Sequence, residues 1–303
     1  MKNRKYSLVF IMLLCMIMAV SAFPMTVNAD MGPKASVRIQ FEHMGDELCY
    51  GTLLSKEKST GPASAWDGRT ESAQKEYMDP GIWEIFVNYK DPDGYYFLQR
   101  SWKVSESKEL AWTYYPPDDF KILLYYPETE TFVSSGIYAR YAFDTYYTVD
   151  MDGVDIGSVE YNDDLSTNER IEAYRSYNYR QEMLALGARI VLTILIEMLV
   201  ALLFGFRQKK QLLILAVVNI ITQIILNVLL NVINYNSGPL AFTFFYVLFE
   251  LIVFALEAVL YCTILKRLSE KKKEDAYYIL YSFVANLISF GSGLFLAAKL
   301  PGM

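Results

Sequence analysis

The 303-residue sequence predicts an α+β multidomain membrane protein: an extracytoplasmic all-β sandwich joined by a long helix to a four-helix transmembrane bundle. Three observations carry this. The first 29 residues have the charge and apolar pattern of a secretory signal, the following stretch is built of short runs with period-two hydrophobicity, and the last 120 residues contain four apolar runs long enough to span a bilayer.

Residues 1–29 begin with Lys2, Arg4 and Lys5, continue through an apolar core from Leu8 to Val20, and end in Val27-Asn28-Ala29, with small residues at the cleavage positions. The four later runs cover 184–206, 212–235, 240–265 and 276–298. Arg207, Lys209 and Lys210 follow the first run, and Lys266, Arg267 and Lys271 to Lys273 follow the third, which places both loops in the cytoplasm. An exported N-terminal domain independently predicts the same orientation, with the C-terminus outside. The expected location is therefore the cytoplasmic membrane, as a multi-pass protein. From Asp30 to Glu182 there are 28 acids against 15 bases, so the acidic excess is extracytoplasmic. That balance argues against nucleic acid as a partner and leaves cationic ligands open.

Residues 30–165 read as the sandwich. Val37, Ile39 and Phe41 alternate with Arg38 and Gln40, and similar runs follow at 49–54, 82–89, 95–104, 110–115, 120–126, 132–138 and 142–149. Turns such as Asp91-Pro92-Asp93-Gly94 punctuate them, giving an immunoglobulin/fibronectin-like architecture. Tyrosine pairs and four tryptophans fit ordinary sandwich packing or a platform for sugars or peptides. Asp150, Asp152 and Gly153 imitate the start of a calcium loop, but Val154 and Tyr161 occupy ligand positions, so a solvated turn is expected and no metal. Cys49, near His43 and Asp46 in sequence, reads as a buried strand residue.

Residues 166–183 read as a linker helix. Ser166 and Glu169 have capping-box spacing and no proline intervenes before Phe206, which predicts one helix of about 40 residues and about 60 Å.

The bundle, 184–303, holds the candidate site. Glu197, Asn219, Glu257 and Asn286 lie at matching depth, about 12 to 15 Å from the cytoplasmic boundary, and form an inner polar layer. Glu250, Gln223, Asn227 and Ser292 lie farther out, with Arg189 still nearer the outer surface. Glu250 and Glu257 are seven apart and share a helix face, while Asn219, Gln223, Asn227 and Asn231 repeat every four residues. Lipid satisfies none of these groups, so they should face each other in the bundle or across a homo-oligomer. Two roles fit. Neutral glutamates and amides lock the bundle, or at least one glutamate carries a proton or cation, or reacts with a membrane substrate.

No histidine occurs in this half, which excludes histidine-based zinc and serine-histidine chemistry there, and no phosphate-binding loop appears. Four spans are few for a carrier, so transport would require oligomerisation. The Asp30-Met31-Gly32-Pro33-Lys34 start, the Gly61-Pro62-Ala63-Ser64-Ala65-Trp66-Asp67-Gly68 segment and the Glu/Asn pattern resemble bacterial membrane proteins of uncharacterised function. The resemblance implies an exported domain on a four-helix membrane unit and no activity, cofactor or catalytic residue. The expected function is a non-enzymatic envelope protein whose exported domain binds a protein, peptide or glycan. The alternative is an ion- or proton-coupled protein using buried glutamates, and neither reading needs a cofactor.

Overall fold

The computed structural model describes residues 32–69, 75–76, 78–154, 156 and 169–299. The chain divides into a unit Pro33–Tyr177 and a unit containing Asn178 and everything after it. The expected signal peptide, most of the acidic run after Val154, Ser166 and the C-terminal tail lie outside the described residues.

The first unit has two sheets. One has the order β11-β9-β1-β5, with β1 Ser36–Glu42, β5 Glu109–Trp112, β9 Asp144–Asp150 and β11 Ala173–Arg175. The other has the order β10-β7-β6-β2-β3, with β2 Tyr50–Ser55, β3 Tyr96–Phe97, β6 Asp119–Tyr126, β7 Thr131–Ser135 and β10 Glu169–Ile171. Short strands β4 (Trp102–Lys103) and β8 (Tyr138–Ala139) pair with β2 and β6. The alternation in β1 decides its facing. Val37, Ile39 and Phe41 enter a core shared with Cys49, just before β2, and with Leu53, Ile122, Leu124 and Val133 of the second sheet. Each such side chain contributes about 1.5–3 kcal/mol of burial.

Strand β6 does not alternate, because both its faces are covered. Phe120, Ile122, Leu124 and Tyr126 join the core between the sheets, whereas Leu123 and Tyr125 pack under helix α1 (Pro80–Asn88) with Ile82, Trp83 and Phe86. The sequence pattern predicted a strand at 82–89. A helix forms there because the Asp79 side chain accepts the Gly81 N–H, Pro80 sits at the first helical position, and Ile82 and Phe86 lie one turn apart on the buried side. This helix departs from the all-β sandwich expected, and the sheets include the parallel pairs β1–β9 and β10–β7. A short helix α2 (Val104–Ser107) links β4 to β5.

The linker helix expected at 166–183 is also corrected. Glu169–Ile171 and Ala173–Arg175 are strands, Ile171 is buried in the core, and the Ala173 N–H donates to the Tyr138 hydroxyl at 2.7 Å. Tertiary pairing overrides the local capping signal. The helix begins only at Tyr179, where the Asn178 side chain accepts the Gln181 N–H.

The second unit contains α3 (Tyr179–Leu203), α4 (Lys209–Leu260), a π-helical turn Tyr261–Leu265, α5 (Lys266–Leu268) and α6 (Asp275–Lys299). The two runs expected at 212–235 and 240–265 lie on the two helical segments that make up α4, which meet at a kink. Gly238, with φ 80° and ψ −179°, and Pro239 interrupt it internally. Among the described residues, two helices rather than four are long and apolar enough to cross a membrane: Tyr179–Leu203 and the stretch Lys209–Leu268, which includes the kink at Gly238.

Polarity in this unit is inverted relative to a water-soluble bundle. Leu199, Leu203, Leu213, Phe244, Leu256 and Val259 are exposed, Leu203 to 85%, while Glu197, Asn219, Glu257 and Asn286 are fully buried.

Candidate functional site

Four helical segments of the second unit contribute to one buried polar cluster. Glu197 comes from α3, Asn219 from the first half of α4, Glu257 from its second half and Asn286 from α6. Glu257 is at the centre: Oε1 accepts from the Thr222 hydroxyl at 3.1 Å and Oε2 from the Asn286 amide at 2.7 Å. The Tyr261 hydroxyl, four residues on, donates to Asn219 Oδ1 at 3.3 Å. Glu197 Oε1 accepts from the Ser289 hydroxyl at 3.5 Å, and Glu197 lies within electrostatic reach of both Glu257 and Glu250.

The four residues assigned to the inner layer are therefore brought together, with Thr222, Tyr261 and Ser289 as partners that sequence reasoning did not name for the site. Each lies three or four positions from a named residue, so helical spacing could have found them. Tyr261 also opens the π-helical turn, a local widening often found at functional sites.

The outer group is assembled differently. The Asn227 amide donates to Gln223 O at 2.8 Å and to Gln223 Oε1 at 3.2 Å, so this pair is satisfied in part within its own helix. Arg189, Gln223, Asn227, Tyr246 and Gly293 line a cavity of about 20 Å³, room for one water. Ser292, assigned to this group from the sequence, is not among the residues lining the cavity, whereas its neighbour Gly293 is, and a Cβ at 293 would stand 2.5 Å from the Tyr246 hydroxyl. The Arg189 guanidinium lies 5.7 Å from the Phe242 ring centroid. Glu250 is buried one turn from Tyr246, and the two side chains interact.

Several atoms in these groups have no hydrogen-bond partner among the described residues: Glu197 Oε2, Asn219 Nδ2, Asn286 Oδ1, Gln223 Nε2, Arg189 Nε and Glu250 Oε2. Buried polar atoms are normally satisfied by protein groups or ordered water, and Glu197 and Asn219 are near enough to each other to interact. Three carboxyl groups in one apolar interior demand protons or cations as partners.

In the β unit, Lys121 Nζ bonds Asp91 Oδ1 at 2.9 Å and Asp93 Oδ2 at 2.8 Å beneath the Asp91–Gly94 turn. Cys49 is fully buried, and burial pushes its thiol up to about 12. It is not positioned with His43, whose ring instead bonds Asp150 at 2.8 Å. No protein family, curated protein or solved structure matches this chain.

Proposed function

We propose that this is an integral protein of the bacterial cytoplasmic membrane in which an extracytoplasmic β unit binds an envelope ligand and a polar helical bundle anchors that unit. The observation that carries the reading is the inverted polarity of the helical unit: exposed leucine, valine and phenylalanine outside, with three glutamates and their amide partners inside. In this reading α3, the two halves of α4 on either side of Gly238, and α6 make four crossings. At 25 residues and about 1.5 Å each, α6 is long enough for hydrocarbon about 30 Å thick. The basic segments around Lys209 and Lys271 then face the cytoplasm. Complementation of a null strain by a chain lacking 33–177 tests the binding role. Full rescue, together with no binding of the β unit to any envelope component, defeats it.

A second reading is favoured by the unpartnered carboxylate oxygens of Glu197 and Glu250 and by the π-helical turn after Glu257. Here the bundle carries protons or a cation through the glutamates, as a homo-oligomer if transport is complete. Reconstituted protein should show a flux that Glu257→Gln or Glu197→Gln abolishes while the fold survives. Unchanged flux in both variants rejects this reading.

A further inference from the structure

We propose that the small cavity inside the helical unit binds one monovalent anion of halide size, a role beyond the ligand-binding and proton-carrying readings above. The lining draws on Arg189 and Thr193 of α3, Gln223 and Asn227 of the first half of α4, Tyr246 of its second half and Gly293 of α6. At about 20 Å³ the cavity holds one water or one ion of similar size, and a phosphate- or carboxylate-bearing molecule is too large for it.

The atoms left open on two of these residues are donors. Gln223 is 3% exposed, and its side-chain oxygen already accepts the Asn227 amide at 3.2 Å, so the end without a partner among the described residues is Nε2. Reversing the Gln223 amide would set two NH₂ groups against each other, because Asn227 Nδ2 is held in place by Gln223 O at 2.8 Å. Arg189 Nε is the second donor without a partner among the described residues. A guanidinium only donates and keeps its charge. The Phe242 ring, 5.7 Å away, brings it no anion, and the groups that act on its charge are Tyr246 and, more weakly, Glu182 seven residues earlier.

Two donors on one cavity, one of them cationic, select the occupant. Water accepts from both but leaves the guanidinium charge without a counter-ion in apolar surroundings. A halide accepts from both and supplies that charge, whereas a cation would lie against Arg189. The space is also built. A Cβ at Gly293 would stand 2.5 Å from the Tyr246 hydroxyl, and Tyr246 is held by the Phe290 ring, with centroids 5.2 Å apart, and by Glu250, with which its hydroxyl interacts. An ion here ties the helix of Arg189 to the helix of Gln223, so its binding is read in the stability of the bundle.

The test uses the full chain in nanodiscs and follows thermal loss of helix by circular dichroism, in sodium bromide and in sodium gluconate of equal ionic strength. Gluconate is too large for the cavity. The midpoint should be about 3–6 °C higher in bromide, the shift given by a ligand at about ten times its Kd. Gln223→Leu and Arg189→Gln should each lose that difference, which a general salt effect on unfolding would leave in place. Gln223→Glu supplies a carboxylate beside Arg189 and keeps an oxygen for Asn227, so its midpoint should no longer depend on bromide and should not fall below that of the parent in gluconate. Crystals of the parent grown in bromide should show anomalous scattering in the cavity, against Arg189 and Gln223. Equal parent midpoints in the two salts, a bromide shift that survives in Gln223→Leu, Arg189→Gln or Gln223→Glu, or a cavity holding only water in the bromide crystals overturns the proposal. Anomalous bromide with no shift in the midpoint marks an adventitious ion only and overturns it as well. If the variants do not fold, the parent's midpoints and its bromide crystals decide together. Flux through Glu257 enters none of these measurements, so failure here leaves the proton-carrying reading standing.

Discussion

Replacing Glu257 separates a hydrogen-bonded anchor from a proton carrier. Its two oxygens accept from Thr222 and Asn286. In Glu257→Gln the amide oxygen can keep the 2.7 Å bond from Asn286 Nδ2, and the new NH₂ then faces the Thr222 hydroxyl. That hydroxyl can accept, because its own proton already has carbonyl acceptors at Val218 (3.1 Å) and Asn219 (3.2 Å). Both contacts survive, so the variant should lie within about 1 kcal/mol of the parent. Glu257→Leu removes both acceptors. Asn286 Nδ2 keeps Ser282 O at 2.9 Å and Thr222 keeps its carbonyls, so no donor is wholly stranded. The expected cost is about 1–2 kcal/mol, near the upper end for interhelical hydrogen bonds within membranes. Thermal unfolding in nanodiscs ranks the three chains, and proteoliposome flux is measured alongside. If Glu257→Gln is as damaging as Glu257→Leu, the exchange of partners described here is wrong. If Glu257→Gln folds normally and retains full flux, Glu257 carries no proton.

Three further outcomes are expected. Lys121→Met leaves the buried Asp91 carboxylate without its cation and should destabilise the β unit by about 3–5 kcal/mol; urea unfolding by tryptophan fluorescence reports this unit alone, since Trp66, Trp83, Trp102 and Trp112 all lie in it. Burial opposes the Lys121 charge, but its bonds to Asp93 and Asp91 outweigh that and raise its pKa, while Lys121 holds Asp93 below the usual carboxylate range. The lysine contribution is complete below the unfolded value and lost as pH rises through the folded one. The Asp93 contribution is present above its unfolded value and lost as pH falls through the folded one. The urea midpoint of the parent should therefore be flattest between about pH 4 and 10, and Lys121→Met should lose the decline at both ends that this cluster causes. Gly293→Ala should cost about 1–3 kcal/mol by thermal unfolding, because its Cβ meets the Tyr246 hydroxyl, and Tyr246→Phe in the same chain should recover part of the loss. Cys49, buried and with its thiol pushed up to about 12, should resist iodoacetamide at pH 8 and react only after unfolding.

The parts of the fold that were legible in the sequence are those in which local pattern and tertiary environment agree. Val37, Ile39 and Phe41 alternate because β1 has one face in the core, and the four-residue spacing of Asn219, Gln223 and Asn227 marks a helix face turned inward. The pattern misled at 82–89, where apolar density resembled a strand while the Asp79 cap and Pro80 started a helix. It misled again at 169–175, where partners 24 to 36 residues earlier, on β9 and β7, decide the conformation. For the candidate site, depth counting grouped Glu197, Asn219, Glu257 and Asn286, but the roles of Thr222, Tyr261 and Ser289 depend on side-chain directions that hydropathy does not encode.

By itself the sequence determined which polar residues of the second half are buried among apolar helices and which segments there are helical, because charge, amide content and apolar length are local properties. Only the tertiary structure decided that Glu257 bonds Thr222 and Asn286, that Gly293 rather than Ser292 adjoins Tyr246, and that Arg189 and Gln223 line one cavity. Those contacts join elements distant in sequence, and their geometry is set by how helices pack rather than by the propensities of the residues that meet.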